Sequence, residues 1–457
     1  MTRPATRAAL RLAVVLIALP APGTLRAQAD SSTLHATLRG WLEDTWLQLL
    51  DRRGAIGGRL SRNGMLQRFQ PLIDDEYYLD LISGPFGLSE DYLWHRRPTG
   101  ARYWGTSIDH LELVTAFDVK AQVLLGSGWK ATVRFNKVHS RELLRDLVRL
   151  EFERSWNSGV FSGAHGTLDA IKPDIDLEWR AGYRGPGGRE VGTAVGLLDA
   201  FSDIVYQVLE VWEGYADTAL DYERQPLTLR SWAEWPLGRR LRLEAHGGVM
   251  MPATVRAYRQ VAPDSGFRQE ERYRFAAALL EWSAGDRIRV GGFGTLVRAE
   301  TDRTPLPMSP TEDDFLLTET TTRYGAFALA QLAERLRFEG WLARIARPER
   351  RDNRTPGGMD VDFEDRWVSG DARLAYGGRT GFRGDASFEF VAREVARGLG
   401  EVPAPASRNN SRLRLEVGWS FGERASFRAG YRIDLDGDPG QGKGAFDGAE
   451  GRFVVFW

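Results

Sequence analysis

Cysteine is absent from all 457 residues. That absence excludes a disulfide framework, c-type haem attachment, a cysteine nucleophile and a lipidated N-terminal cysteine. Histidine is scarce, and His35, His95, His110, His139, His165 and His246 follow no metal-ligand spacing. Neither a metal nor a cofactor is therefore expected. No charge of one sign prevails, since 61 Lys and Arg stand against 62 Asp and Glu for a formal net charge of -1. That balance gives no reason to expect nucleic acid as a partner. Long apolar runs are missing too: "LAVVLIAL", Leu12 to Leu19, is far shorter than the ~20 residues of a membrane-spanning helix.

That short run has a telling setting. Arg3, Arg7 and Arg11 precede it, and "AQA" at Ala27 to Ala29 follows it before Asp30. Basic residues, a short apolar run and small residues at a cleavage point read as a secretory signal peptide over residues 1–29. An exported chain without cysteine must be held together by something other than disulfides. What is plentiful points to how: the chain carries 50 Gly, 15 Trp, 13 Tyr and 22 Phe. Exported, rich in aromatics and glycine, and without apolar helices describes a transmembrane β-barrel, in which only alternate residues face lipid.

The pattern along the chain supports that class. In "RLRLEVGWSF", Arg412 to Phe421, the apolar Leu413, Leu415, Val417, Trp419 and Phe421 alternate with Arg412, Arg414, Glu416 and Ser420. "RASFRAGYRIDLD" repeats it, as do Trp129 to Asn136, Val148 to Trp156, Ile175 to Tyr183, Arg240 to Ala245, Arg335 to Phe338 and Phe382 to Arg393. Many of these runs match the ~9 to 11 residues that cross a membrane at a tilt. Tight turns are expected near Pro236 to Gly238, Ala284 to Asp286, Ala333-Glu334, Gly377 to Arg379 and Gly422-Glu423. Longer polar loops are expected at Val261 to Gln269, Thr301 to Asp314, Pro348 to Asp362, Gly398 to Asn410 and Gly437 to Gly448. Short turns at one end and long loops at the other is the asymmetry of an outer-membrane barrel. The expected fold is all-β, an antiparallel up-and-down transmembrane barrel of about 16 to 18 strands over residues 109–457. Residues 30–108 read as a periplasmic or lumen-filling segment. It opens on a helix with Leu34, Leu38, Trp41, Leu42, Leu49 and Leu50 at helical spacing, continues irregularly and has room for one early strand. "DAFSDIVYQVLEVW" from Asp199 reads equally as a strand pair or as a loop with a short helix.

With leader, amphipathic strands and a closing "GRFVVFW" in view, the chain resembles the Gram-negative outer-membrane β-barrels. The resemblance implies residence in the outer membrane, contact with its lipid and lipopolysaccharide, and recognition of the last strand, ending on Trp457, by the barrel-assembly machinery. "WLQLLDRRGAI", Trp46 to Ile56, is also similar to the start of capsule-assembly outer-membrane lectins of the Wzi type. That likeness implies binding of surface polysaccharide.

One charge pattern recurs after successive turns: "RRLRLEA", "DRIRVGG" and "ERLRFEG". With apolar residues between them facing lipid, Arg240, Arg242, Arg287, Arg289, Arg335 and Arg337 must point to the lumen near the turn end. Arg373, Arg383, Arg414 and Arg428 join the same side. A charge on the lipid face would cost ~2 to 4 kcal/mol at the bilayer midplane. One reading is a basic constriction that selects small anionic solutes in a porin-like pore. The other pairs each arginine with a lumenal acid, Glu244, Glu339, Asp385, Glu389 or Glu416, as a wall strut. A surface-polysaccharide barrel with its lumen plugged by residues 30–108 is the functional alternative, and an outer-membrane hydrolase a remote one. Enzymatic activity is not expected. "GWSFG" fits the serine-hydrolase G-x-S-x-G pattern, but Ser420 leads into a hairpin instead of a strand-to-helix elbow. In "DLDGDPG" Asp434, Asp436 and Asp438 have calcium-loop spacing, but Pro439 and Ala445 occupy positions that need Gly and Glu. Most of Trp129, Trp179, Tyr183, Trp232, Trp235, Tyr273, Trp282, Tyr376, Trp419 and Tyr431 are expected to form interfacial girdles.

Overall fold

The structure is a computed structural model. It describes residues 100–455 apart from 110–111, 140–143, 170–173, 199, 201–217, 260, 286, 311–312, 378–379, 400–408, 423 and 436–445. The expected leader, the helix expected after Asp30, the Wzi-like stretch and Trp457 lie outside the described residues, as does nearly all of "DAFSDIVYQVLEVW".

Among the described residues nineteen antiparallel strands form one sheet. In chain order they are β1 (Gly100–Asp109), β2 (Glu112–Gly126), β3 (Trp129–His139), β4 (Leu144–Ser155), β5 (Val160–Asp169), β6 (Asp174–Gly185), β7 (Arg189–Leu197), β8 (Thr218–Arg224), β9 (Leu227–Pro236) and β10 (Leu241–Arg259). They continue as β11 (Ala262–Ala284), β12 (Ile288–Pro305), β13 (Phe315–Ala333), β14 (Leu336–Asn353), β15 (Val361–Gly377), β16 (Gly381–Leu399), β17 (Asn409–Phe421), β18 (Ala425–Asp434) and β19 (Phe446–Val455). β19 pairs with β18 on one side and with β1 on the other, Val455 lying opposite both Ala425 and Ala101. The sheet is thus closed into a barrel. β8 and β9 lie end to end along β10, so the nineteen segments make a wall of eighteen. The break falls at Pro226, beside a register shift in β10 that spans Pro252. Proline has no N–H to give to the ladder, so both strands step there together. The first wall strand begins at Gly100, ahead of residue 109, in the stretch that had room for one early strand.

Burial is inverted relative to a soluble protein. Outward positions expose apolar side chains, Leu280 at 44 % and Val417 at 56 %, while the inward face buries carboxylates, Glu244 at 1 % and Glu416 at 5 %. Such a surface is unstable in water and matches a hydrocarbon surround. The chain is an integral β-barrel of the outer membrane.

Wall height is uneven. β3 to β7 run 9 to 12 residues, whereas β10 to β16 run 17 to 23. Strand therefore takes up nearly all of the loop expected from Val261 and part of those expected from Thr301 and Pro348: β11 starts at Ala262, β12 runs to Pro305 and β14 to Asn353. These stretches leave the bilayer, where outward residues turn polar, so the alternation that betrays a strand fades while the ladder continues. Above them Arg354 pins the rim. It pairs with Asp302 at 2.5 Å and with Asp314 at 2.6 Å, and it donates to the Phe315 carbonyl at 3.2 Å. Burial opposes its charge, and the bonds to Asp302 and Asp314 outweigh that, so its pKa is raised.

On the inner face aromatic rings lie over glycines of the next strand. Trp232 covers Gly192, Phe161 covers Gly182, Phe275 covers Gly248 and Phe327 covers Gly291. Two expected girdle residues belong here instead: Trp232 and Tyr273 are buried inside, because they share parity with Glu234 and Glu271. The other eight are exposed on the outside. A side chain at Gly192 would enter the Trp232 ring. Gly192→Val is expected to destabilise the barrel by about 1 to 3 kcal/mol, read as a lower urea midpoint for loss of the compact, heat-modifiable band on gels. Gly187→Val, at an open turn position, is the strain control, since its φ of 74° disfavours any side chain without a steric clash.

Candidate functional site: the lumenal charge lattice

Inward charges gather into two groups. The first spans β3 to β9 around Glu153, which is 2 % exposed. Its carboxylate accepts from Lys130 Nζ at 3.3 Å, Arg180 Nη2 at 2.7 Å and Arg184 Nη1 at 2.7 Å. Register explains the reach. Glu153 lies opposite Gly163 on β5, and Gly163 lies opposite Arg180 on β6, so the guanidinium crosses a strand without a side chain to block it. Arg180 also bonds Glu151, and Arg184 Nε reaches Glu190 at 3.0 Å. The other Glu190 oxygen accepts from Trp232 Nε1 at 3.0 Å. One strand further, Arg230 on β9 donates from Nε to Glu178 on β6 at 2.8 Å, passing over Ala194 and Gly196 of β7. His165 closes the group, 3.6 Å from Glu178 and 3.5 Å from Arg149.

The second group spans β15 to β18. Asp385 and Glu416 face each other across β16 and β17, a like-charge pair that would repel if left alone. Arg428 bridges them at 3.1 and 3.2 Å, and Arg373 holds Asp385 at 2.8 Å. Arg414 completes the shell on Glu416. Glycine clears the way again, since Arg428 lies opposite Gly418 and Glu416 opposite Gly430.

The ten arginines named from the sequence divide by position. Arg373, Arg414 and Arg428 belong to the second group. Arg242 pairs with Glu234, Arg337 with Glu339 at 2.5 Å, and Arg289 and Arg383 are engaged as well. Arg240, Arg287 and Arg335 stand exposed at the turn mouth, without an ion pair among the described residues. Their backbone carbonyls tie the mouth together, accepting from Ser283, Gln331 and Gly377 of the following hairpins at 2.8, 2.8 and 2.9 Å. Of the expected acids, Glu244 meets His246 at 3.0 Å, and the side chain of Glu389 lies outside the described residues. The group around Glu153 had no counterpart in the sequence reading. Its trace is visible in "RLEFER" and "EWRAGYR", where charges of both signs recur at period two.

Nearer the loop end the lumen face changes character. Arg303, 1 % exposed, lies 4.1 Å from the Phe267 ring centroid and 5.0 Å from that of Phe315. It donates to Gln269 at 2.8 Å, Gln269 donates to Glu271 at 2.8 Å, and Tyr273 donates to Glu271 at 3.0 Å. Among the described residues no group of His, Asp and Glu is arranged to hold a metal ion.

The class of protein is set by this architecture, and comparison adds neighbours of the same kind. No protein-family model matches the chain, and neither does any curated protein. Solved structures do. A bacterial polysaccharide outer membrane secretin is 11 % identical, over 79 % of this chain and 99 % of that one, with a TM-score of 0.33. OmpT, an outer membrane protein of Vibrio cholerae, is 10 % identical over 79 % and 96 %, with a TM-score of 0.36. The alcaligin outer membrane receptor FauA from Bordetella pertussis is 8 % identical over 79 % and 76 %, with a TM-score of 0.38.

Removing one partner from a buried charge group leaves the other charge uncompensated, at a cost of about 3 to 5 kcal/mol. Glu416→Gln should lower the unfolding free energy, read from a urea titration, by that order, because Arg428 and Arg414 lose a counter-ion together. Arg350→Ala, which breaks the pair with Asp352 in which both side chains are exposed, should change it by less than about 1 kcal/mol. Equal shifts for the two variants would mean that the lattice adds nothing beyond surface pairing.

Proposed function

We propose that the barrel passes small polar solutes through its lumen, with a mild preference for anions set at the periplasmic mouth. The observation that carries the reading is the contrast between interior and mouth. Inside, arginines and carboxylates are matched, so a passing ion meets both signs in turn. At the mouth Arg240, Arg287 and Arg335 extend beyond the matched lattice and stand exposed. Rings of arginine at an opening favour anion entry, because their field meets a solute before it reaches the matched charges inside. Catalysis forms no part of the reading. Ser420 sits in β17 just before a hairpin turn, buried in the wall, where no strand-to-helix elbow presents it.

Purified, folded protein in planar bilayers provides the test. Conductance is expected, with a reversal potential in a salt gradient displaced toward the anion. Combined Arg240→Glu, Arg287→Glu and Arg335→Glu should move that potential toward the cation without loss of the folded band. Absence of conductance would overturn passage of solutes. An unmoved reversal potential would overturn the role of the mouth.

A further inference from the structure

The lipid face of the tall side ends on arginine. Outward residues of β11 run Trp282, Leu280, Ala278, Ala276 and then Arg274; those of β12 run Ile288, Val290, Gly292, Gly294, Leu296 and then Arg298. On β14 the sequence Leu336, Phe338, Gly340, Leu342 ends on Arg344. All three arginines are exposed. From Trp282 to Arg274 the strand rises roughly 27 Å, or about 20 Å along the normal at a typical tilt, close to the ~25 Å apolar band of such barrels. The turn end is periplasmic, so these side chains lie at the headgroup level of the outer leaflet.

Arg274 and Arg298 are directly opposite each other across β11 and β12, both pointing outward. Their Cβ atoms are therefore roughly 5 Å apart, and like charges so placed destabilise a sheet. The available acids offset only one of the two charges. Arg298 has Glu300 at 2.8 Å, and the next outward arginine, Arg272, is taken by Glu270 at 2.5 Å. Arg274 has no ion pair among the described residues. On the far side of Arg298 stands Thr320 of β13, in register and on the same face. The row is thus guanidinium, guanidinium and hydroxyl across three neighbouring strands, with Val249 of β10 beside Arg274 and the exposed Leu296 just below Arg298.

We propose that Arg274, Arg298 and Thr320 bind a phosphate group of lipopolysaccharide in the outer leaflet. Two guanidinium forks match the oxygens of one phosphate and cancel each other's repulsion through it, which a water molecule cannot do. Val249 and Leu296 offer the apolar surface along which the acyl chains of the same lipid lie. The site rests on outer-membrane residence and on nothing inside the lumen, so its fate is separate from that of solute passage.

Native mass spectrometry of folded protein in detergent, titrated with diphosphorylated lipid A, tests it. Saturable binding is expected, weakened about tenfold or more in Arg274→Gln/Arg298→Gln and unchanged in Arg272→Gln. Equal binding by wild type and the double variant, or equal binding of phosphate-free lipid A, would overturn the site. Full competition by inorganic phosphate at equal concentration would overturn its assignment to a lipid. Arg274→Glu guards against misfolding: it converts the like-charge pair into an opposite-charge pair and leaves the Arg298–Glu300 pair intact. The melting temperature in lipid-free detergent should hold or rise, while the further rise on adding lipid A should disappear. Retention of that rise would overturn the proposal.

Discussion

The rest of the structure depends on the closure of β19 onto β1. In hydrocarbon an unpaired backbone N–H or C=O has no water to turn to, and each costs several kcal/mol. A sheet can meet that demand only by having no edge. Once the ring is closed, every strand presents one row of side chains to lipid and one to the lumen, and the sorting of residue types follows. The terminal "GRFVVFW" is thereby explained as far as Val455: Phe453 faces out, Val454 faces in, and the strand is held between β18 and β1.

Closure also creates the problem that the lumenal glycines solve. Inward charges are forced into a confined space, where desolvation of a single carboxylate can exceed what one partner returns. Neighbouring strands alone supply poorly matched sets, as the opposed Asp385 and Glu416 show. Gly163, Gly196, Gly418 and Gly430 remove a side chain at the register position beside a charge. An arginine can then serve acids on its own or its neighbour's far side. Glu153, Glu190, Asp385 and Glu416 each gather two or three donors, and strands that share no backbone bond become linked. Other glycines admit rings in the same way, Trp232 on Gly192 and Phe275 on Gly248, so the inner wall is packed by one geometric device used for two chemistries.

Much of this was legible in the sequence, for a definite physical reason. Where a strand crosses hydrocarbon, one face must be apolar, so β3, β6, β17 and β18 announce themselves by period two, and the expected range of strand numbers includes the eighteen of the wall. Where strands leave the membrane that obligation lapses. The first residues of β11 and the last of β12 and β14 read as loop although they are strand. Partners were less legible than faces. Parity shows that Arg373, Arg414 and Arg428 point inward, but which acid each meets depends on register and on which intervening residue is glycine. Trp232 and Tyr273 show the converse failure. Aromatic identity suggested a girdle, whereas their parity with Glu234 and Glu271 already indicated the lumen.

The uneven wall gives the barrel two different boundaries with its surroundings. On the β3 to β7 side, strand length and bilayer thickness nearly coincide. On the β10 to β16 side the strands pass through the headgroup layer and continue beyond it, and the step at Pro226 and Pro252 lies at the junction between the two sides. A strand that ends at the membrane surface can meet the headgroups with a flexible loop. A strand that continues must meet them with side chains fixed by register, on a face whose neighbours are fixed as well. That is why two arginines are held at opposed register positions, Arg274 and Arg298. The height of the wall thus converts a diffuse attraction between basic residues and anionic headgroups into a position with defined geometry.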